Sequence, residues 1–198
     1  MRIALRGACL LAFGVAFGGA VDDRGAPALG TEAHATTSIL MTLDELVRGS
    51  EQVAIVEPLE RTSRWEELAG SRRIVTYTKL RVDETIAGKE RAEVWVRTLG
   101  GTVDKIGQAV AGEASFTLGE RSVVFIGNMD GVPVVTGLAQ GHFPLTMRGS
   151  DIVLASSPDP GNLLKRKAAK TSARDELVGT VLDEAVAKIK TAAAAPKK

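Results

Sequence analysis

His142, Trp65, Gln108 and Gln140 are the side chains of this 198-residue chain whose types could do chemistry or hold a partner. Histidine is the usual acid, base or zinc ligand, but the only other histidine is His34, so no pair at metal-ligand spacing exists. A serine hydrolase needs a nucleophile on a sharp turn beside a histidine base. Ser115 and Ser122 lack the flanking glycines of such a turn, and only His142 could serve them. The carboxylate couples Asp83-Glu84 and Glu66-Glu67 are adjacent, and adjacent residues of a strand point to opposite faces, so neither couple suits acid/base work. Gly100-Gly101 through Gly112 lacks the Gly-Lys-Ser/Thr ending of a phosphate loop and opens no helix. No catalytic set, metal set or cofactor motif is present, and the sequence points away from an enzyme.

Binding chemistry is what remains. Trp65 stands in the charged stretch 61–72, where an exposed indole suits a contact hot spot, or else packs over the mouth of a barrel. Gln108 either hydrogen-bonds loop backbone or reaches a ligand. Gln140 and His142, in the run 137–143, complete the candidate contact set; a strand histidine satisfied by backbone or water is the plainer reading of His142. A 4% aromatic content and an acidic body argue against single-stranded nucleic acid. The basic run Lys165, Arg166, Lys167, Lys170 is a solvated linker or a contact for an anionic surface or acidic partner.

The elements that would position these residues are mostly strands. Ile74, Thr76, Thr78, Leu80 and Val82 alternate with Val75, Tyr77, Lys79 and Arg81, which places one set on a core face and the other toward water. Strands are expected at 52–56, 73–85, 93–99, 121–127, 132–137, 141–147 and 151–155. Turns fall at Ala87-Gly88-Lys89, Asp130-Gly131 and Gly149. Pro58 argues for a strand end or an edge, residues 61–72 for a variable loop, and 100–113 for a folded loop across the barrel. Thr42 and Glu45 form a capping signature before Leu43, Leu46 and Val47, closed by Gly49, for a two-turn helix. A second helix is expected at 172–190, capped by Ser172 with Asp175, its stripe of Leu177, Val178, Val181, Leu182, Ala185, Val186 and Ile189 docking on the barrel or on a partner.

These elements make a mainly β domain at 39–157: a small closed or partly open antiparallel barrel, OB-like, with a short N-terminal helix and a C-terminal amphipathic helix. Around it lie a flexible linker at 21–38, a basic linker at 158–171 and a disordered tail at 191–198. Arg2 and Arg6 precede the uncharged run from Ala8 to Ala20, which reads as a secretory signal peptide at 1–20, too short to span a bilayer. Cleavage after Ala20 would remove Cys9, leaving a secreted, periplasmic or envelope protein without disulfides or thiolate zinc. Residues 21–162 carry a net charge of −6 (14 Lys/Arg, 20 Asp/Glu) and 163–198 a net of +5 (9 against 4), an acidic body with a basic tail.

The order of short helix, strand, polar loop, a long strand ending in Ile86-Ala87-Gly88-Lys89 and a strand ending in Arg97-Thr98 resembles the netrin-like OB barrel of the tissue inhibitors of metalloproteinases. So does Leu118-Gly119-Glu120 just before Val123-Val124-Phe125-Ile126. The likeness covers 42–127. Over most of the mature chain, Gly107-Gln108, Gly112, Phe116, Gly119-Glu120 and Gly137-Leu138-Ala139-Gln140-Gly141-His142-Phe143 are similar to a group of uncharacterised secreted bacterial proteins. Inhibitors of the metalloproteinase branch chelate the protease zinc through an N-terminal cysteine, which this mature chain would lack. The resemblance therefore implies the barrel and not that chemistry. Such barrels host nucleic-acid, lipid and protein partners alike. The expectation is a secreted, non-enzymatic barrel that binds a protein or envelope component through 61–72 and 100–113. The alternatives are a protease inhibitor acting without zinc chelation, or a structural envelope protein self-associating through its C-terminal helix.

Overall fold

The structure is a computed structural model, described here over residues 37–164 and 171–196. The signal-peptide reading, most of the 21–38 linker and the run Lys165-Arg166-Lys167 fall outside those residues. β1 (Thr37–Ile39) precedes α1 (Leu43–Arg48), whose cap is reciprocal: Thr42 Oγ1 accepts from the Glu45 N–H at 3.2 Å, and the Glu45 carboxylate accepts from the Thr42 N–H at 2.9 Å. β2 (Gln52–Leu68) and β3 (Ser71–Gly88) follow as an antiparallel ribbon of 17 and 18 residues. Its two-residue turn is Ala69-Gly70, both at positive φ, as a tight hairpin requires.

This ribbon corrects one expectation and decides another. Residues 61–72 are not a loop, and Pro58 does not end the strand but takes the edge position that was the other expectation, paired on one side only, to β3. The chain passes Pro58 with a register shift between Pro58 and Glu60, a bulge being where a strand tolerates proline, and stays paired to β3 through Leu68. The Pro58 carbonyl accepts from the Gly119 N–H at 2.9 Å.

β4 (Glu93–Leu99) pairs with β3, and Thr98 lies opposite Thr76. The folded stretch beyond it contains a small hairpin, β5 (Gly101–Val103) with β6 (Ile106–Gln108). β7 (Ser122–Met129) and β8 (Val132–Val135) turn at Asp130-Gly131; a short 3-10 turn (Leu138–Gly141) leads to β9 (His142–Arg148) and β10 (Asp151–Leu154). The seven-stranded sheet runs β10-β9-β7-β2-β3-β4-β8. β8 also pairs antiparallel with β7 while meeting β4 in parallel, so β7, β2, β3, β4 and β8 close a ring.

Alternation along β2 and β7 serves two cores. Ala54, Val56, Val124 and Ile126 point into the ring with Leu80, Val94, Val96, Phe116 and Val135. Val53, Ile55, Val123 and Phe125 point outward, where Leu46, Phe143, Leu154, Leu177 and Ile189 cover them. Those strands are apolar on both faces because helices roof the outer one. At about 1.5–3 kcal/mol per buried large aliphatic side chain, the C-terminal stripe is committed to this barrel.

The C-terminal region departs from the single helix expected. Ser172 caps α2 (Ala173–Leu177) as predicted, but the helix stops there and α3 (Leu182–Ala194) begins after Gly179, which has φ of 78°. The break has a cause in the sheet. The Gly179 N–H donates to the Leu154 carbonyl at 2.7 Å and the Leu154 N–H to the Thr180 carbonyl at 3.1 Å, so residues 178–181 cover the edge of β10. α3 reaches Ala194, inside the expected disordered tail. Both linkers also give up residues to structure: β11 (Asn162–Leu164) pairs in parallel with β1, matching Ser38 to Leu163 and Ile39 to Leu164. Among the described residues no helix is long and apolar enough to cross a membrane.

Candidate functional site

Beyond its bulge β2 pairs with β3 alone, and past Val75, where the pairing of β3 with β4 ends, the two strands continue to the Ala69-Gly70 turn as an arm. Period two places Arg61, Ser63 and Trp65 on the face that continues the ring interior, opposite Thr78, Thr76 and Ile74. The β5–β6 hairpin lies across that face and is fastened by polar bonds. The Gly100 N–H donates to the Ile74 carbonyl at 2.8 Å, the Ile74 N–H to Gln108 Oε1 at 2.8 Å, and Thr76 Oγ1 to the Gly100 carbonyl at 2.7 Å. Ser63 Oγ is 2.8 Å from Thr76 Oγ1. Gly101 makes this approach possible. A Cβ there would lie 2.2 Å from Thr76 Oγ1 and 2.6 Å from Ser63 Oγ, and its φ is 131°.

Between arm, hairpin and ring mouth is an open cleft of about 340 Å³, lined by Arg61, Thr76, Thr78, Thr98, Gln108, Glu113, Phe116 and Asp159. The ring interior thus changes from valine and leucine to three threonines as it opens. Glu113 is 9% exposed. Burial pushes its carboxyl up to about 7, against the lowering effect of the Leu99 and Ala114 backbone N–H groups and of Arg97. Such a group in a cleft is a candidate for ligand contact.

His142 stands behind this wall. It is 3% exposed, its ring packs on Phe116 with centroids 4.7 Å apart, and its Nδ1 is 3.2 Å from Ser157 Oγ. Burial lowers it to about 4, so it is neutral at physiological pH. Gln140 is engaged elsewhere: its Oε1 accepts from the Met41 N–H at 2.9 Å and its Nε2 donates to the Ile39 carbonyl at 3.1 Å, tying β1 to the 3-10 turn. Of the four nominated residues, Trp65 and Gln108 meet around Ile74, while Gln140 and His142 hold the scaffold. Trp65 is half-buried, with the Arg72 guanidinium 4.8 Å from its ring centre.

No known family model, curated protein or solved structure matches this chain. The reading of the site therefore rests on its geometry. Among the described residues no group of three or more His, Cys, Asp or Glu is placed to hold a metal ion. The cations on the opposite face of the ribbon sit against carboxylates: Arg64 with Glu66 at 2.6 Å, Lys79 with Glu93 at 2.9 Å, Arg81 with Glu57 at 2.6 Å. These exposed pairs add little stability. Sequence reasoning missed Arg61, Glu113 and the threonines. The three threonines were legible as inward-facing positions; the burial of Glu113 and its bond from the Leu99 N–H arise only once the loop folds over the ring mouth.

Proposed function

We propose that this chain is a non-enzymatic binding module, an OB-type barrel exported to the cell envelope or beyond, whose partner is a protein or envelope component. The partner docks on the platform formed by the projecting arm and the β5–β6 hairpin, around the mouth of the ring. The observation that carries this reading is the fastening of these two segments, 34 residues apart at Ile74 and Gln108, by backbone and glutamine hydrogen bonds around an open polar cleft. A surface built from two hairpins on a rigid barrel is preorganised and loses little entropy on binding. The five-stranded ring, closed by one parallel contact, supports the OB assignment.

The test is site-specific photo-crosslinking in the producing cells. A benzophenone side chain replacing Trp65 or the exposed Ile106 is expected to give one adduct of defined mass, and the same group at the exposed Met147, on β9, none. Absence of an adduct from both platform positions would overturn the proposal.

A further inference from the structure

The mouth of the ring is rich in acceptors, with Arg61, Gln108 Nε2 and the Thr78 hydroxyl as its donors. The Thr76 hydroxyl hydrogen is committed to the Gly100 carbonyl at 2.7 Å, and that of Thr98 to the Thr76 carbonyl at 3.4 Å, so both oxygens offer lone pairs. Ser63 then takes one lone pair of Thr76. Glu113, when ionised, only accepts. Its carboxylate accepts from the Leu99 and Ala114 backbone N–H groups, the latter at 3.3 Å to Oε1, and keeps lone pairs for a further donor. The charged groups around it leave it without a close counter-ion. Arg97 on β4 acts at longer range and lies 3.6 Å from Glu66, Arg61 on β2 gives its Nη1 to the Phe116 carbonyl at 3.4 Å, and Asp159 adds a second carboxylate. A charge buried without a partner is costly, and a ligand supplying the partner recovers that cost.

We infer that the ring mouth is a pocket for a primary ammonium group, the lysine side chain of a partner polypeptide, held by Glu113 and the hydroxyls of Thr76, Thr78 and Thr98. An ammonium carries three donors and no acceptor, which matches the carboxylate and the threonine oxygens of this wall. The slender lysine stem has Leu99, Val110 and Phe116 to lie against. This inference rests on the binding-module reading and names what its partner inserts.

The probe is acetyl-Gly-Lys-Gly-amide, compared by titration calorimetry with its norleucine analogue. The lysine peptide is expected to bind at least about tenfold more tightly, with affinity rising as pH rises through 7. Because Glu113 titrates near 7, binding at pH 7 should release about half a proton, read from the dependence of heat on buffer ionisation enthalpy. Glu113→Gln should abolish both the preference and the proton release, and Thr78→Val should weaken binding severalfold, each with an unchanged circular dichroism spectrum. Equal binding of the two peptides, or a lysine preference unaltered by Glu113→Gln, would overturn the inference. Crosslinking from position 65 in the wild-type protein separates the two proposals: an adduct together with equal binding of the two peptides fails the lysine pocket alone, and absence of the adduct fails the platform as well.

Discussion

The two halves of the β2–β3 ribbon share one hairpin and behave as different structures. In the inner half, Val53 to Val56 lie between β3 and β7 and are at most 3% exposed, apolar on both faces. In the outer half, residues 60–68 pair with β3 alone, and most of their side chains are polar and exposed. The inner half is held by burial, the outer half by strand pairing and by a second hairpin fastened through Gln108, Thr76 and Gly100. On the proposed reading, stability and recognition are separated along one pair of strands. Low-stability segments carrying binding surfaces on rigid scaffolds follow the same logic.

The sharpest break of this contrast is in the inner half. Ile55→Ala removes a buried side chain from the outer core and should cost about 2–5 kcal/mol in urea unfolding, without altering residues 60–72 in particular. A loss under 1 kcal/mol would mean the inner half is not the anchor.

Next comes the wall where the halves meet, through pH. His142 sits at about 4 instead of 6.5, so the unfolded chain takes up the proton first and this contribution to stability is lost as pH falls from 6.5 to 4. Glu113 sits at about 7 instead of 4.5, so the folded chain keeps its proton longer and that contribution is lost as pH rises from 4.5 to 7. Each amounts to about 3 kcal/mol, and between pH 4.5 and 6.5 they oppose. Glu113→Gln should therefore make stability climb steeply with pH across that window, and His142→Gln should make it decline. Urea midpoints from pH 4 to 8 check this, and parallel profiles for the two variants would contradict it.

A smaller effect is expected from Gly101→Ala, which places a Cβ against Thr76 and Ser63. It should cost about 1–3 kcal/mol. Hydrogen exchange should quicken over residues 101–108 and at Ile74, and leave residues 53–56 protected.

The same contrast explains what could be read from the residues. β4 appears at its expected bounds, Glu93–Leu99, and Asp130-Gly131 makes its turn, because apolar alternation and turn chemistry coincide there. The arm was missed because both its faces are polar: Arg61 and Ser63 inward, Thr62 and Arg64 outward leave no apolar period. A signal was present in the mirrored charges about Ala69-Gly70, where Glu67 faces Arg72 and Glu66 faces Arg73. The C-terminal stripe was legible, yet its break at Gly179 was not, since the demand for it comes from the edge of β10, over twenty residues upstream. Glu113 is one of 24 acidic residues, and nothing in its sequence neighbours marks it until the fold buries it and brings the Leu99 N–H to it.

The smallest stability effect should have the largest functional one. Trp65 lies at the outer end of the arm, half-buried, and its defined partner is the Arg72 guanidinium, a contact worth about 0.5–1 kcal/mol at an exposed site. Trp65→Ala should therefore unfold within about 1 kcal/mol of the parent, because the ladder from Arg61 to Leu68 is made by backbone and survives the truncation. If the arm is a recognition surface, the same change should remove the adduct captured from Ile106, since indoles at contact centres carry a disproportionate share of binding energy. A large loss of stability with retained capture would reverse the assignment and make Trp65 part of the scaffold. The comparison between the halves of the ribbon would then have to be redrawn one turn of the pleat further out, at Glu67.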